Sequence, residues 1–237
     1  MSAAPLAGRR AVITGASRGI GLAIASTLAA AGARLTLLAR DARSLEKLAA
    51  TLGAQPIPCD VGNAAAVDRA VAAIQSSGGA PDILVNNAGL FRPAPVDATT
   101  PDALAAALEV NLIAPFRLVR AFLPAMLERG RGDIVSIGSV ADHTTFPENA
   151  AYGASKHGLR ALHDVMRAEL RGTGVRVTLI SPGPVDTSLW DDIDPDSREG
   201  FTPRSSMLPP NAVAATVLYA VTQPPEVDVE LVRLARS

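Results

Sequence analysis

Short apolar runs alternate along the chain with longer, alanine-rich amphipathic stretches. The runs RAVIT (10–14), RLTLLA (34–39), QPIP (55–58), DILVN (82–86), DIVSIG (133–138), VRVTLI (175–180) and DVELVR (228–233) read as strands. Between them, a spacing near 3.6 residues predicts helices over 18–31, 43–52, 64–77, 101–128, 150–171 and 211–222. Several strands are apolar at consecutive positions rather than at alternate ones, as parallel strands covered on both faces are. Regular strand–helix alternation with right-handed crossovers predicts an α/β, doubly wound, mainly parallel seven-stranded sheet with helices on both faces. QPIP is the least strand-like of the seven, because it carries two prolines in four residues.

Composition narrows the picture. The 237 residues are 48% hydrophobic, enough for one sizeable domain over 1–237 and too much for a disordered chain. Lys and Arg total 22 against 23 Asp and Glu, a net charge of −1, so no global field draws the protein to nucleic acid or anionic lipid. The one cysteine, Cys59, excludes an internal disulfide framework and reads as a small buried hydrophobe. His143, His157 and His163 have no metal-ligand spacing, so no metal is expected. Arg129 and Arg131 read as positive charge at a helix end, where they suit the dipole. The longest run of wholly apolar residues, Ala103 to Leu108, is far short of the roughly 20 that span a membrane. The opening MSAAPLAGRR lacks an apolar signal core and reads as a short tail, so the expected location is cytoplasmic. The stretch 188–210, with prolines at 195, 203, 209 and 210, is long for a connection and is expected to form a lid. Its Trp190 is read either as a substrate contact or as a core wedge.

The chemistry-bearing residues fall at the ends of the predicted strands. Gly15, Ser17, Arg18, Gly19, Ile20 and Gly21 follow the first strand and open the first helix. Glycines there let the backbone approach a pyrophosphate, which the helix N-terminus attracts. The second strand ends in Arg40, whose guanidinium suits a 2′-phosphate, with Arg18 as a second partner. NADP(H) is therefore expected over NAD(H), and Asp41 is expected to point elsewhere. Tyr152 and Lys156, four apart, share a helix face. An ammonium about 4 Å from the phenol contributes about 4 kcal/mol, which predicts a tyrosine pKa drawn down toward neutrality. Ser136, Ser139 and Ser155 all compete to hold a substrate carbonyl. Asn111 precedes Pro115 by four residues, so its carbonyl loses its helical partner and is free to hold a water.

These motifs, in this order, resemble the short-chain dehydrogenase/reductase family from about Arg10 to Thr187. TGASRGIG (14–21) is similar to its cofactor turn, Asp60 and Val61 to its adenine contact, and the segment from Asn86 through Asn87 and Ala88 to Gly89 to its NNAG motif. Asn111, Ser139, Tyr152 and Lys156 match its catalytic tetrad, and the spacing of thirteen before Tyr152 selects Ser139. Pro182, Gly183, Val185 and Thr187 resemble the segment that holds the nicotinamide carboxamide. Gly138 stands where many members have a second serine, a change expected to matter little for the chemistry. The resemblance implies a Rossmann-like fold and a hydride exchange between NADP(H) and a carbonyl or secondary alcohol. Tyr152 would be the general acid/base, Lys156 would hold the nicotinamide ribose and Ser139 the carbonyl oxygen, and Asn111 would anchor a relay water. It also implies a homodimer or homotetramer. A non-catalytic dinucleotide sensor and an epimerase-like or dehydratase-like reaction are the competing readings.

Overall fold

The computed structural model describes residues 4–237. Seven strands form one parallel sheet in the order β3-β2-β1-β4-β5-β6-β7. They are β1 (Arg10–Thr14), β2 (Arg34–Ala39), β3 (Gln55–Pro58), β4 (Ile83–Asn86), β5 (Gly132–Ile137), β6 (Val175–Pro182) and β7 (Leu231–Leu234). The expected strands are all present; the last is shorter and starts later than 228. The proline-bearing β3 survives because it is an edge strand, where a missing N–H can face away from the ladder.

Neighbouring residues on a strand serve opposite cores, which explains the unbroken apolar runs. Ile13, Val85, Val135 and Ile180 pack with Ile24, Leu28, Val213 and Val217 of α1 (Gly19–Ala30) and α7 (Pro210–Val221). Val12, Leu84, Ile134 and Val177 pack on the other face, where α3 (Ala64–Gly78) contributes Val67 and Ile74. The α2 helix (Ala42–Leu52) starts at Asp41, whose carboxylate caps the Ser44 amide at 3.2 Å; this is where Asp41 points. The expected tail is partly core: Leu6 is fully buried, and its N–H donates to the Ala31 carbonyl at 2.9 Å. Its residues 1–3 lie outside the described residues.

The stretch expected as one helix over 101–128 is α4 (Pro101–Leu108) and α5 (Ala114–Glu128), joined by a π turn at Glu109–Ile113. The Ala114 N–H reaches the Glu109 carbonyl, five residues back. By length and mean hydropathy (1.4) this helix has the dimensions of a membrane span. Run length alone misses it, because Glu109, Asn111 and Arg117 interrupt the apolar sequence. Its apolar side is taken up by the fold: Leu118, Val119, Phe122 and Met126 are buried in the second core. The remaining long helix, α6 (Ala150–Leu170), crosses the same face from the carboxyl edge of the sheet toward its amino edge.

Candidate active site

A cleft of about 1970 Å³ opens at the carboxyl ends of the strands. Every site residue expected from the sequence lines it except Asn111. The glycine turn at its floor is held by residues outside the glycines. Thr14 Oγ1 accepts from the amides of Asn87 and Ala88, both at 3.0 Å. Asn87 Nδ2 donates to the carbonyl of Thr14 at 2.9 Å, tying β4 to the turn. Thr14 is therefore a positioning residue that the sequence reading passed over, although it opens the quoted motif. At Gly21 a Cβ would stand 2.2 Å from the Gly15 carbonyl oxygen, so only glycine lets the helix start this close to the strand. The first turn of α1 carries no acid to neutralise its amides. Arg40 is exposed on the cleft wall, and Arg18 Nη1 donates to Ser188 Oγ at 3.3 Å across the mouth. Asp60 accepts from the Gly62 amide at 3.1 Å, and Thr187 caps the short turn at Ser188–Trp190.

The three candidate serines separate cleanly. Ser155 is buried, accepting from Asn111 Nδ2 at 2.9 Å and donating to the Tyr152 carbonyl at 2.7 Å. Ser136 is buried within β5, its hydroxyl without a partner. Ser139 alone lines the cleft, and its side chain acts to lower the pKa of the Tyr152 phenol. Asn111 sits behind the wall, 1% exposed, at the centre of the π turn. Its side chain accepts from the Leu90 amide at 2.7 Å and donates to the Leu90 carbonyl at 2.9 Å. Besides the carbonyl noted from Pro115, it thus clamps the loop after β4 to α6.

Tyr152 and Lys156 lie on one face of α6, the Lys156 ammonium 5.6 Å from the phenol ring centroid. Lys156 Nζ donates to the Ile137 carbonyl at 2.8 Å, and burial lowers its pKa to about 8. The expected fall of the tyrosine pKa does not occur. Burial pushes the phenol above its ordinary value, the Ser139 side chain opposes this, and the Asp142 charge adds to it. Desolvation of the phenolate outweighs the stabilisation assumed from a nearby ammonium.

Asp142 was not anticipated. It closes a capping box with Ser139, each side chain meeting the other's backbone at the end of β5. Its buried carboxylate takes a hydrogen bond from Ser181, lies 2.6 Å from His143 Nδ1 and 3.6 Å from Arg160 Nη1. Gly138 makes this possible: a Cβ there would stand 2.6 Å from Asp142 Oδ2. Its missing side chain is thus the space the carboxylate occupies. His143 is exposed and faces Asp142, Cys59 is buried as expected, and Arg129 donates to the carbonyls of Ala80 and Pro81 at 2.8 and 2.7 Å.

The segment 188–210 is pinned over one end of the cleft. Arg204 bridges Asp186 at 2.9 Å and Asp191 at 2.6 Å, Arg198 pairs with Glu148, and Met207 and Leu208 are buried. Trp190 lines the cleft, with its indole N–H on the Val185 carbonyl at 2.9 Å.

The family model for the short chain dehydrogenase matches residues 9–198. A D-threitol dehydrogenase of Mycolicibacterium smegmatis is 38% identical over 223 residues, covering 90% of this chain and 86% of that one. Among solved structures, a metagenomic short-chain oxidoreductase in complex with NADP is 34% identical with a TM-score of 0.84, covering 98% of this chain and 99% of that one. A gluconate 5-dehydrogenase from Burkholderia cenocepacia J2315, in complex with NADP and tartrate, is 32% identical with a TM-score of 0.87, over 97% and 94% of the two chains.

Proposed function

Since the chain belongs to the short-chain dehydrogenase family, we propose that it exchanges a hydride between NADP(H) and the carbonyl or secondary alcohol of a small molecule. The observation that carries this reading is the meeting of the glycine turn with Ser139, Tyr152 and Lys156 in one cleft. The residues present fit a dinucleotide: the bare backbone at Gly21 and the acid-free helix start suit a pyrophosphate, and the cleft is long enough to run from Arg40 to Tyr152. Gly15, Ser17, Gly19, Ile20 and Gly21 hold the pyrophosphate, Arg18 and Arg40 the 2′-phosphate, and Asp60 and Val61 the adenine. Asn87 and Ala88, with Pro182, Gly183, Val185 and Thr187, enclose the nicotinamide end. When bound, the nicotinamide supplies or takes up the hydride.

The side chains manage the proton and the geometry. Ser139 orients the substrate oxygen toward Tyr152. Tyr152, kept protonated by burial, gives its proton to that oxygen as negative charge develops there. Lys156 holds the nicotinamide ribose, and the Asn111 carbonyl anchors a water that returns the proton by way of Lys156. Residues 188–210 act as the lid that keeps bulk water out. Exposed Leu104, Phe116 and Leu127 on the α4–α5 helix support assembly as a homodimer or homotetramer, which light scattering would report.

The test is NADPH and NADH titration followed by carbonyl reduction. NADPH binding with turnover is expected, and Tyr152→Phe should lower kcat by about 10³-fold while cofactor affinity stays within a few-fold. Binding without turnover of any carbonyl would favour a dinucleotide sensor, and no binding at all would end the reading.

A further inference from the structure

The chain is poor in aromatic residues, with five phenylalanines, two tyrosines and one tryptophan. Most of them are gathered in one place: Phe91, Phe146, Tyr152, Trp190 and Phe201 all line the cleft. They come from the loop after β4, the loop before α6, α6 itself and the lid, so only the folded chain brings them together. Phe91 meets the Tyr152 ring edge-on with centroids 4.8 Å apart. Trp190 meets Phe91 at 5.4 Å, and Phe201 meets Trp190 at 6.3 Å. A continuous row of rings therefore leads from the phenol outward into the lid.

Three polar groups close to this row are already engaged. The Trp190 N–H is spent on the Val185 carbonyl at 2.9 Å. Arg198 is paired with Glu148 and lies over the Phe201 ring, 4.7 Å from its centroid. Arg204 is held by Asp186 and Asp191. Arg92 stands exposed at the rim. Hydroxyls set against the ring faces would give up hydrogen bonds to water that the rings cannot replace. An apolar substituent gains by leaving water there, and a flat one also gains edge-to-face contacts.

We propose that the substrate is a hydrophobic ketone, or the matching secondary alcohol, whose aryl or branched alkyl group rests on Phe91, Trp190 and Phe201. This rests on the hydride transfer proposed above and excludes open-chain polyols and sugar acids as preferred substrates. The rings select the substituent; Ser139 and Tyr152 receive the oxygen.

Three ketones with NADPH decide it: acetophenone, erythrulose and 5-ketogluconate. The expected result is a kcat/KM for acetophenone at least about tenfold above the other two, with Phe201→Ser raising its KM by about tenfold. Trp190 gives a second readout free of turnover, since it is the one tryptophan. In the NADP⁺-loaded protein, acetophenone should quench its emission saturably and erythritol should not; Phe91→Leu should weaken that quench. Faster reduction of erythrulose or 5-ketogluconate, or an emission that acetophenone leaves unmoved, overturns the substrate class while NADPH binding leaves the hydride reading standing. Failure of NADPH to bind, with none of the three ketones reduced, overturns both.

Discussion

Two buried aspartates stand at opposite edges of the same sheet, at either end of β5. Asp133, at the amino edge, is 5% exposed and lies between two guanidiniums: Arg9 from the start of the chain and Arg176 of β6, whose Nε is 2.7 Å away. The same arginines continue to the main-chain carbonyls of Val221, Gln223 and Pro224, so the carboxylate ties β1, β5, β6 and the end of α7. Asp142, just beyond the carboxyl edge, is as deeply buried but has softer partners in Ser181, His143 and a more distant Arg160. Its field reaches Tyr152 and Lys156, adding to the rise of the phenol's pKa and opposing the larger fall that burial imposes on the ammonium's. At one edge a buried charge is neutralised and serves stability. At the other it stays electrostatically active beside the groups proposed to move a proton.

Perturbing each edge separates these roles. Asp133→Ala should cost about 3 kcal/mol in urea unfolding, because two arginines lose their shared counter-charge, while kcat per folded molecule stays unchanged. A loss of activity without a loss of stability would dissolve the contrast. Arg40→Ala, at the carboxyl edge, should weaken NADPH binding by about tenfold to a hundredfold and leave both NADH affinity and Tm in place. Equal losses for both nucleotides would remove the 2′-phosphate role.

Asp142→Asn keeps an acceptor for Ser181 but removes the charge. The pKa values of Tyr152 and Lys156 should both fall, so the alkaline limb of the carbonyl-reduction profile should move to lower pH. Asp133→Asn should not move it. The smallest effect concerns His163, buried on α6 between the edges, whose pKa burial lowers to about 4. The unfolded chain takes up this proton near pH 6.5, before the folded one does, so stability falls as pH drops from 6.5 toward 4. His163→Gln should remove about 1 kcal/mol of that loss between pH 7 and 5.5, measured by urea unfolding at both values.

Gly138 shows how a residue can be seen in the sequence without its place in the packing being seen. As a replacement for a serine it looked neutral; in space it is the room that admits Asp142. The phenol shows the same limit in energetic form. A lysine four residues away was enough to predict a charge effect, but the sign of the net shift depended on burial by residues from other elements. Phe91, Trp190 and Phe201 are scattered singly along the chain, and no periodicity links them.

The strand and helix pattern, the glycine turn and the Tyr152–Lys156 pair were legible because each is local. Side-chain period follows burial, turn chemistry follows adjacent residues, and a spacing of four puts two groups on one helix face. The tertiary structure decided that a helix of membrane-spanning length packs on the sheet, which carboxylate acts on the phenol and where the aromatic wall stands. These depend on crossovers that carry distant loops to one sheet edge, and on desolvation, which arises only when separate parts of the chain close around the same group.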